Sequence, residues 1–369
     1  MKLIQIDPTN ADSLAEIESA AFVIALDGTQ TLETPVTKSK HLWHAGDGGK
    51  FSNNRFVDKP AQFICWTDQS SNTARGGLMG EHSAMDGTPI VRFCEFILEN
   101  IEKFLHRLEE PVDQSIANAR TDISMPLHLP FNESGLEASI NEARDEVAKL
   151  SANGLSTDAW TQMIIQLAYS RLVAIEGSEN VPAATYEAAT MRSFINGRYE
   201  CIRSTTSDSA TFVDAMNNTE KTNADRKDAL KTAVNTHVHN TKQVSSGHSV
   251  DRNLFDLQKS LYPSEQVPEL LIDELFNKSS TWTISTSQIS TKGFETYGWG
   301  EVAPHGFGVA YSIFENCLQF TVTNTVMYGT TKDKNGKGKK RNDTFVALFD
   351  EAAKDMLILF KPAQRQAKL

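Results

Sequence analysis

The sequence predicts a mixed α/β (α+β) protein in which helices flank mixed sheets. Segments with helical periodicity and segments with strand-like alternation both occur along the 369-residue chain. Hydrophobic residues make up 40% and charged residues 22%, which is ordinary for a globular protein with a substantial core. The length suits about two domains. No apolar run reaches the roughly 18 residues that a membrane-spanning helix needs, so we expect no membrane span.

The first part of the chain is predicted to combine helices with a pair of strands. Residues 11–26 show a short helical pattern. Residues 61–66 and 77–80 are predicted as strands, and the polar segment 68–72 is predicted as the turn between them. Residues 89–105 carry apolar side chains on one stripe, which predicts an amphipathic helix.

The second part is predicted to begin near residues 126–135, a Pro- and Leu-rich segment that is typical of a linker. We therefore expect one unit over residues 1–125 and another over residues 126–369. Ser156 is a typical N-cap residue before a helical pattern. The predicted helices are 136–149, 156–172, 221–239 and 344–359, and the predicted strands are 282–287, 307–312 and 319–325.

Charge and cysteine usage argue against several function classes. A formal net charge of -11 argues against nucleic acid or anionic lipid as a partner. The four cysteines are scattered and form no Cys-x-x-Cys pair, which favours a reducing compartment. His237 and His239 would lie about 200° apart on a helix and could not chelate one ion together. We predict no bound metal.

The C-terminal tripeptide Ala367-Lys368-Leu369 differs from the peroxisomal address Ser-Lys-Leu by one small residue. It predicts recognition by the peroxisomal import receptor. The first residues of the sequence lack the apolar core of a signal peptide and the Arg/Ser-rich character of a transit peptide. We therefore expect a peroxisomal protein, with a second, mitochondrial form left open.

The segment from Glu81 to Gly87 carries the clearest chemical signal. His82 stands four residues before the pair Asp86-Gly87, just after a predicted strand. An imidazole titrates near neutral pH and can act as a general base, and a nearby carboxylate can orient it. The alternative is a satisfied core histidine beside a turn. A histidine base with a carboxylate that orients it favours an acyl-transfer function.

Several further segments accompany this motif in order along the chain. They are Asn54-Arg55-Phe56-Val57-Asp58-Lys59-Pro60-Ala61-Gln62-Phe63, Ser156-Thr157-Asp158-Ala159-Trp160-Thr161-Gln162, Thr185-Tyr186-Glu187-Ala188-Ala189-Thr190-Met191-Arg192, Gly197-Arg198, Asp251-Arg252, Ser285-Thr286-Ser287-Gln288 and Pro304-His305-Gly306-Phe307-Gly308. Together they resemble the carnitine/choline acyltransferase family, and within it the carnitine acetyltransferases. The resemblance implies the coenzyme-A-dependent acyltransferase fold, which has two similar domains with the active-site tunnel between them. Residues 1–125 would be the C-terminal part of the first domain, and residues 126–369 the second domain.

The resemblance also implies a reaction and its catalytic residues. His82 would be the general base that takes the proton from the carnitine hydroxyl or from the thiol of coenzyme A, without an acyl-enzyme. Ser287 would donate a hydrogen bond to the oxyanion of the tetrahedral intermediate. Asp86 and Arg252 would pair and support the base. Coenzyme A and acetyl-coenzyme A would be substrates, and we expect no permanently bound cofactor.

Substrate binding is implied for a further set of residues. Arg252 and Tyr186 would hold the carnitine carboxylate, and an arginine at this position favours carnitine over choline. Tyr199 replaces the threonine that the family usually has at a carboxylate contact. Trp299 and Val302 would face the trimethylammonium group, and Tyr297 would close the acyl pocket to favour acetyl. The residues expected to bind coenzyme A are Lys149, Asp158 and Ser285.

Two other functions stay open at this point. One is a choline or medium-chain acyltransferase. The other is a catalytically impaired fragment or half-protein that needs an N-terminal partner, because family members are much longer and carry the His-x-x-x-Asp-Gly motif beyond their midpoint.

Overall fold

A computed structural model describes residues 10–45, 54–83, 85–109, 155–178, 182–291, 293–315, 317–325, 330–332 and 338–360. The chain divides into two compact units. The first contains Met1–Asn132 and Thr291–Thr296, and the second contains Glu133–Ser290 and Tyr297–Leu369. The prediction had assigned the segment Thr291–Thr296 to the second unit. In the described part of the chain, no helix is both long and apolar enough to cross a membrane.

The first unit is a small mixed sheet with helices. Its elements are α1 (Asn10–Ser19), β1 (Val23–Gln30), α2 (Pro35–His44), β2 (Ala61–Asp68), β3 (Thr73–Gly80) and α3 (Gly87–Glu109). The strand order is β1-β2-β3; β1 runs parallel to β2, and β2 and β3 form an antiparallel hairpin. The hairpin and α3 were both predicted from the sequence, and the structure confirms them.

The predicted helix over residues 11–26 is only partly right, because it ends at Ser19 and a strand begins at Val23. From Ile24 to Asp27, side chains are exposed and buried in alternation, which is the period of a strand. A short apolar run fits a helix or a strand equally well by periodicity. Pairing of β1 with β2, a contact distant in sequence, decides between them.

Residues of the motif at positions 54–63 hold the first unit together. Asp27 is buried, and its carboxylate accepts hydrogen bonds from Arg55 Nη2 at 2.6 Å and from Asn54 Nδ2 at 2.6 Å. His41 Nε2 lies 2.8 Å from the same carboxylate. Lys59 Nζ donates to the backbone carbonyls of Glu18 and Ala20, on either side of the last residue of α1. The motif therefore has a structural role in this unit.

The second unit contains the larger core. Its helices are α4 (Thr157–Ile175), α5 (Ser207–Asn217), α6 (Asn223–Ser245), α7 (Asp251–Ser260), α8 (Glu269–Ile272), α9 (Glu274–Ser279) and α10 (Arg341–Ile358). Its strands are β4 (Thr185–Thr190), β5 (Tyr199–Arg203), β6 (Ile284–Gln288), β7 (Phe307–Ile313), β8 (Leu318–Thr323), β9 (Thr330–Lys332) and β10 (Gly338–Lys340). Five strands form a mixed sheet in the order β5-β4-β6-β7-β8, and β9 pairs with β10.

Helix α4 is the centre of this core. The Ser156 side chain caps its first turn, as predicted, by accepting from the backbone of Ala159. Its buried residues lie on all sides, which is typical of a helix enclosed by others. It packs against α5, α6 and α10. The predictions of this helix, of α10 and of strands β6, β7 and β8 are confirmed to within a few residues at each end, and α6 is confirmed but continues to Ser245 beyond its predicted end at His239.

The five-stranded sheet has a core face and a polar face. Neighbouring residues of a strand point to opposite faces, and residues paired across strands share a face. On the core face, Glu187 pairs with Thr286, which in turn pairs with Val309. On the polar face, Tyr186 pairs with Arg203 and with Ser285. This alternation determines which predicted site residues can act together.

The predicted helix 136–149 and the predicted boundary at residues 126–135 lie outside the described residues.

Candidate active site

His82 lies in the first unit, two residues after the end of β3. Its side chain is 70% exposed, so it is not the buried core histidine of the alternative reading. Nδ1 lies 3.6 Å from Asp86 Oδ1, which is longer than a hydrogen bond but within ion-pair range. Asp86 stands just before α3. The structure therefore brings the predicted base and its predicted partner together at one strand end.

Ser285 and Ser287 lie on the polar face of the second unit's sheet. They are two residues apart in β6, and Ser285 pairs with Tyr186 of β4 and with Gly308 of β7. The Ser285 side chain is buried and Ser287 is half-buried. Predicted oxyanion, carnitine and coenzyme A residues are therefore neighbours on this face.

A loop before β7 covers part of this face. Trp299 Nε1 donates to Ser285 Oγ at 3.2 Å, and the Tyr297 hydroxyl donates to the carbonyl of Ser287 at 2.7 Å. Burial raises the pKa of Tyr297, which keeps it a hydroxyl donor. At Gly308 a Cβ atom would lie 2.7 Å from the carbonyl oxygen of Trp299, so only glycine admits this loop. Val302 is exposed.

Arg252 is in the first turn of α7, close to the polar face. Its Cζ lies 4.0 Å from the ring centroid of Tyr199, a cation–π contact. Burial raises the pKa of Tyr186, and so do Tyr199 and Cys201, whereas the positive charge of the nearby Arg252 opposes the rise. The structure thus brings Tyr186, Tyr199 and Arg252 together as the resemblance implied.

Asp158, predicted to bind coenzyme A, is in the first turn of α4; its side chain is 31% exposed and also contacts a polar cluster on the core face. The Tyr311 hydroxyl lies 2.7 Å from Asp158 Oδ1 and 2.8 Å from Glu187 Oε1. His237 Nε2 lies 3.0 Å from Glu187 Oε2 and 3.6 Å from Asp158 Oδ2, at ion-pair distance, although neither ring nitrogen is aligned for a linear hydrogen bond. We call Asp158, Glu187, His237 and Tyr311 the buried cluster.

Hydrogen counting fixes the protonation of this cluster. Gln162 Nε2 donates to the Tyr311 hydroxyl at 3.1 Å, and a hydroxyl has one hydrogen to give, so it can donate to one carboxylate. The other carboxyl must carry a proton and donate to Tyr311. Burial and the neighbouring Asp158 raise the pKa of Glu187, so Glu187 is the carboxyl that holds a proton more readily. Asp158 stays ionised, because burial, which raises its pKa, is outweighed by His237 and Tyr311.

The imidazole of His237 completes the charge balance of the buried cluster. Burial lowers its pKa, but the ionised Asp158 and the nearby Oε2 of Glu187 outweigh burial and raise the pKa of His237 to about 9. His237 is then a cation at neutral pH. One nitrogen and two carboxylate oxygens within 4.8 Å of one another could also hold a metal ion, so the expectation of no metal stays a prediction.

Comparison with known proteins agrees with this geometry. The family model described as Choline/Carnitine o-acyltransferase matches residues 1–341. The chain belongs to this family. The predicted resemblance is confirmed, and the two mixed sheets flanked by helices are the predicted acyltransferase fold.

Relatives of this chain include enzymes named for two different acceptors. Mitochondrial carnitine O-acetyltransferase of Saccharomyces cerevisiae is 33% identical over 339 residues, which is 86% of this chain and 48% of that protein. Human carnitine O-acetyltransferase is 28% identical, covering 86% of this chain and 51% of its own length. Choline O-acetyltransferase of Sus scrofa is also 28% identical, covering 86% and 50%. The chain thus spans about half the length of the relatives it matches.

One solved structure is also similar in part. The wax ester synthase/diacylglycerol acyltransferase from Marinobacter aquaeolei VT8 gives a TM-score of 0.38 at 10% identity, over 93% of this chain and 80% of that one.

Most of the buried cluster was not predicted from the sequence. His237 was considered only as half of a chelating pair with His239, although the helix places His237 in the stripe of Leu230, Ala233 and Val234. A histidine in an apolar helical stripe requires a buried partner. Glu187, a carboxylate at a core-facing strand position, was the second available signal. Lys149 lies outside the described residues.

Proposed function

We propose that this acyltransferase chain carries out the reaction of a carnitine O-acetyltransferase, the reversible transfer of a short acyl group between coenzyme A and carnitine. The observation that carries the proposal is Arg252 beside Tyr186 on the face that also presents Ser287. A guanidinium next to a hydroxyl suits a carboxylate, which carnitine has and choline lacks.

His82 acts as the general base in this proposal. Because Nδ1 faces Asp86, Nε2 is the nitrogen that takes the proton from the carnitine hydroxyl, or from the thiol of coenzyme A in the reverse direction. The Asp86 carboxylate stabilises the imidazolium that forms. The proton returns to the leaving thiolate or alkoxide, so the two substrates exchange the acyl group directly.

Ser287 stabilises the developing oxyanion. The hydrogen bond from the Tyr297 hydroxyl to the Ser287 carbonyl fixes the backbone of β6 at this position. It thereby helps to position the Ser287 hydroxyl. Loss of one oxyanion donor typically lowers kcat by about 100- to 1000-fold. The Tyr297 ring limits the space next to Ser287, which favours acetyl over longer acyl groups.

The coenzyme A part of the proposal rests mainly on family membership. Ser285 is the predicted coenzyme A residue that shares the polar face with Ser287. The peroxisomal location rests on Ala367-Lys368-Leu369 and is proposed on the sequence alone.

The decisive experiment measures acetyl transfer from acetyl-coenzyme A to carnitine and to choline, with the 369-residue chain and with a longer version carrying the N-terminal half of the yeast relative. We expect carnitine to be the better acceptor. His82→Ala should abolish transfer, whereas the control His239→Ala, on an exposed histidine of the second unit, should not change it.

Three results would overturn parts of the proposal. Equal rates for His82→Ala and wild type would show that His82 is not the general base. A preference for choline would reassign the acceptor. Transfer by the longer version alone would identify the 369-residue chain as a half-protein that needs an N-terminal partner.

A further inference from the structure

Three aromatic rings lie in a row between two arginines along the edge of the polar face. The guanidinium of Arg252 lies 4.0 Å from the ring centroid of Tyr199, and that of Arg203 lies 4.9 Å from the ring of Trp282. Tyr186 stands between the two rings, 6.4 Å from Tyr199 in an edge-to-face contact and 5.7 Å from Trp282. The arrangement is continuous from one arginine to the other.

The start of α7, which carries Arg252, is fixed to β5 by two contacts. Arg203 donates to both carboxylate oxygens of Asp251, at 2.6 and 3.1 Å. The backbone N–H of Arg252 donates to Glu200 at 3.4 Å, a long hydrogen bond. The first turn of α7 is therefore attached to the strand that carries Tyr199. What remains variable is the direction of the long Arg252 side chain.

Tyr199 supplies the constraint on that direction. When a guanidinium stacks on an aromatic ring, its N–H donors lie in the guanidinium plane, parallel to the ring, and point outward. The ring of Phe255 also lies near the guanidinium but is more distant, at 5.8 Å, and half-exposed. Tyr199 is thus the closer of the two rings, and it also contacts Tyr186.

We propose that Tyr199 is a positioning residue that determines specificity for a carboxylate-bearing alcohol. Its ring holds Arg252 in the one orientation that presents N–H donors, beside the Tyr186 hydroxyl, to the substrate carboxylate. This inference rests on the proposed function and adds to it, because the ring acts through Arg252 and not by a hydroxyl contact of its own.

The first test compares Tyr199→Leu with Tyr199→Phe in steady-state acetyl transfer. Leucine removes the ring, so KM for carnitine should rise about tenfold, the size of a partly desolvated cation–π contact. Phenylalanine keeps the ring and should restore most of the affinity. KM for acetyl-coenzyme A should change less than twofold in both. Tyr262→Leu, on an exposed tyrosine of the same unit, is the matched control.

A double-mutant cycle shows whether Tyr199 acts through Arg252. In an Arg252→Gln background the carnitine KM should already be high, and adding Tyr199→Leu should change it by less than about twofold. A full tenfold effect in that background would mean direct contact with substrate and would overturn the positioning role. So would a Tyr199→Phe variant as weak as Tyr199→Leu.

Failure of the proposal differs from failure of the proposed function. Wild-type transfer to carnitine with an unchanged KM in Tyr199→Leu would overturn the role of Tyr199 and leave the function intact. Wild-type preference for choline, or no transfer to either alcohol by the chain with or without an N-terminal half, would overturn the function and this inference with it.

Discussion

Replacing His237 by glutamine removes the buried cation that lies between Asp158 and Glu187. The pKa of His237 is raised from 6.5 to about 9 in the folded chain. At about 1.4 kcal/mol for each pKa unit, this difference corresponds to about 3 kcal/mol of stability. The imidazole is almost completely buried, so solvent screening reduces this value little.

The sign of the pH dependence follows from the raised pKa. Protonated His237 stabilises the fold fully below the unfolded pKa of 6.5, and this contribution is lost as the pH rises through about 9. We therefore expect His237→Gln to be less stable than wild type by about 3 kcal/mol at pH 6 and to differ little at pH 10.

Urea unfolding at pH 6, 7.5 and 10 measures this difference. A hydrogen-exchange pulse at one fixed pH then reads the unfolded fraction from peptides of α4, so that the second unit is followed separately from the first. His239→Gln is the control, since this side chain is on the same helix but exposed. A deficit below about 0.5 kcal/mol at pH 6, or one that persists unchanged at pH 10, would refute the charge balance argued for the buried cluster.

The remaining predictions concern other parts of the chain. Arg55→Met should destabilise the first unit by about 3 to 5 kcal/mol because it leaves Asp27 buried without its guanidinium, and exchange of β2 peptides should show this, with the more exposed Arg75→Met as control. If the buried cluster holds protons and not a metal ion, prolonged EDTA treatment should leave the melting temperature unchanged. A melting temperature that EDTA lowers and added Zn²⁺ restores would show a metal site. Tyr297→Gly should increase transfer of longer acyl groups relative to acetyl, measured with acyl-coenzyme A of increasing chain length. A fluorescent protein ending in Ala367-Lys368-Leu369 should enter peroxisomes, and diffuse fluorescence would argue against the address.

Local signals predicted those elements whose sequence carries a strong period or cap. Helix α4 has a serine N-cap and a continuous apolar pattern, and α3 has one clear apolar stripe. The hairpin of β2 and β3 has a polar turn between two strand patterns. These features are encoded within about 20 residues, and the sequence was sufficient for them.

Contacts between distant segments were not predictable from local patterns. Strand β1 forms because it pairs with β2, some 40 residues away, as Val23 with Gln62. Glu187 and His237 are ordinary residues in their own segments, and only the packing of α6 on the sheet makes them partners. The site residues on the polar face were predicted as a group only through the family resemblance, since nothing in their spacing links β4 to β6.

The middle residue of Ser285-Thr286-Ser287 explains how the core supports the polar face. Thr286 points inward, where its hydroxyl accepts from Gln162 at 2.9 Å and donates to the Tyr186 carbonyl at 2.9 Å. These two bonds tie β6 to β4 and to α4. A slip of one residue would turn Thr286 outward and both serines into the core. The orientation of Ser287 is therefore set by a buried threonine, and the proposed oxyanion donor depends on polar bonds beneath the sheet as much as on the face that presents it.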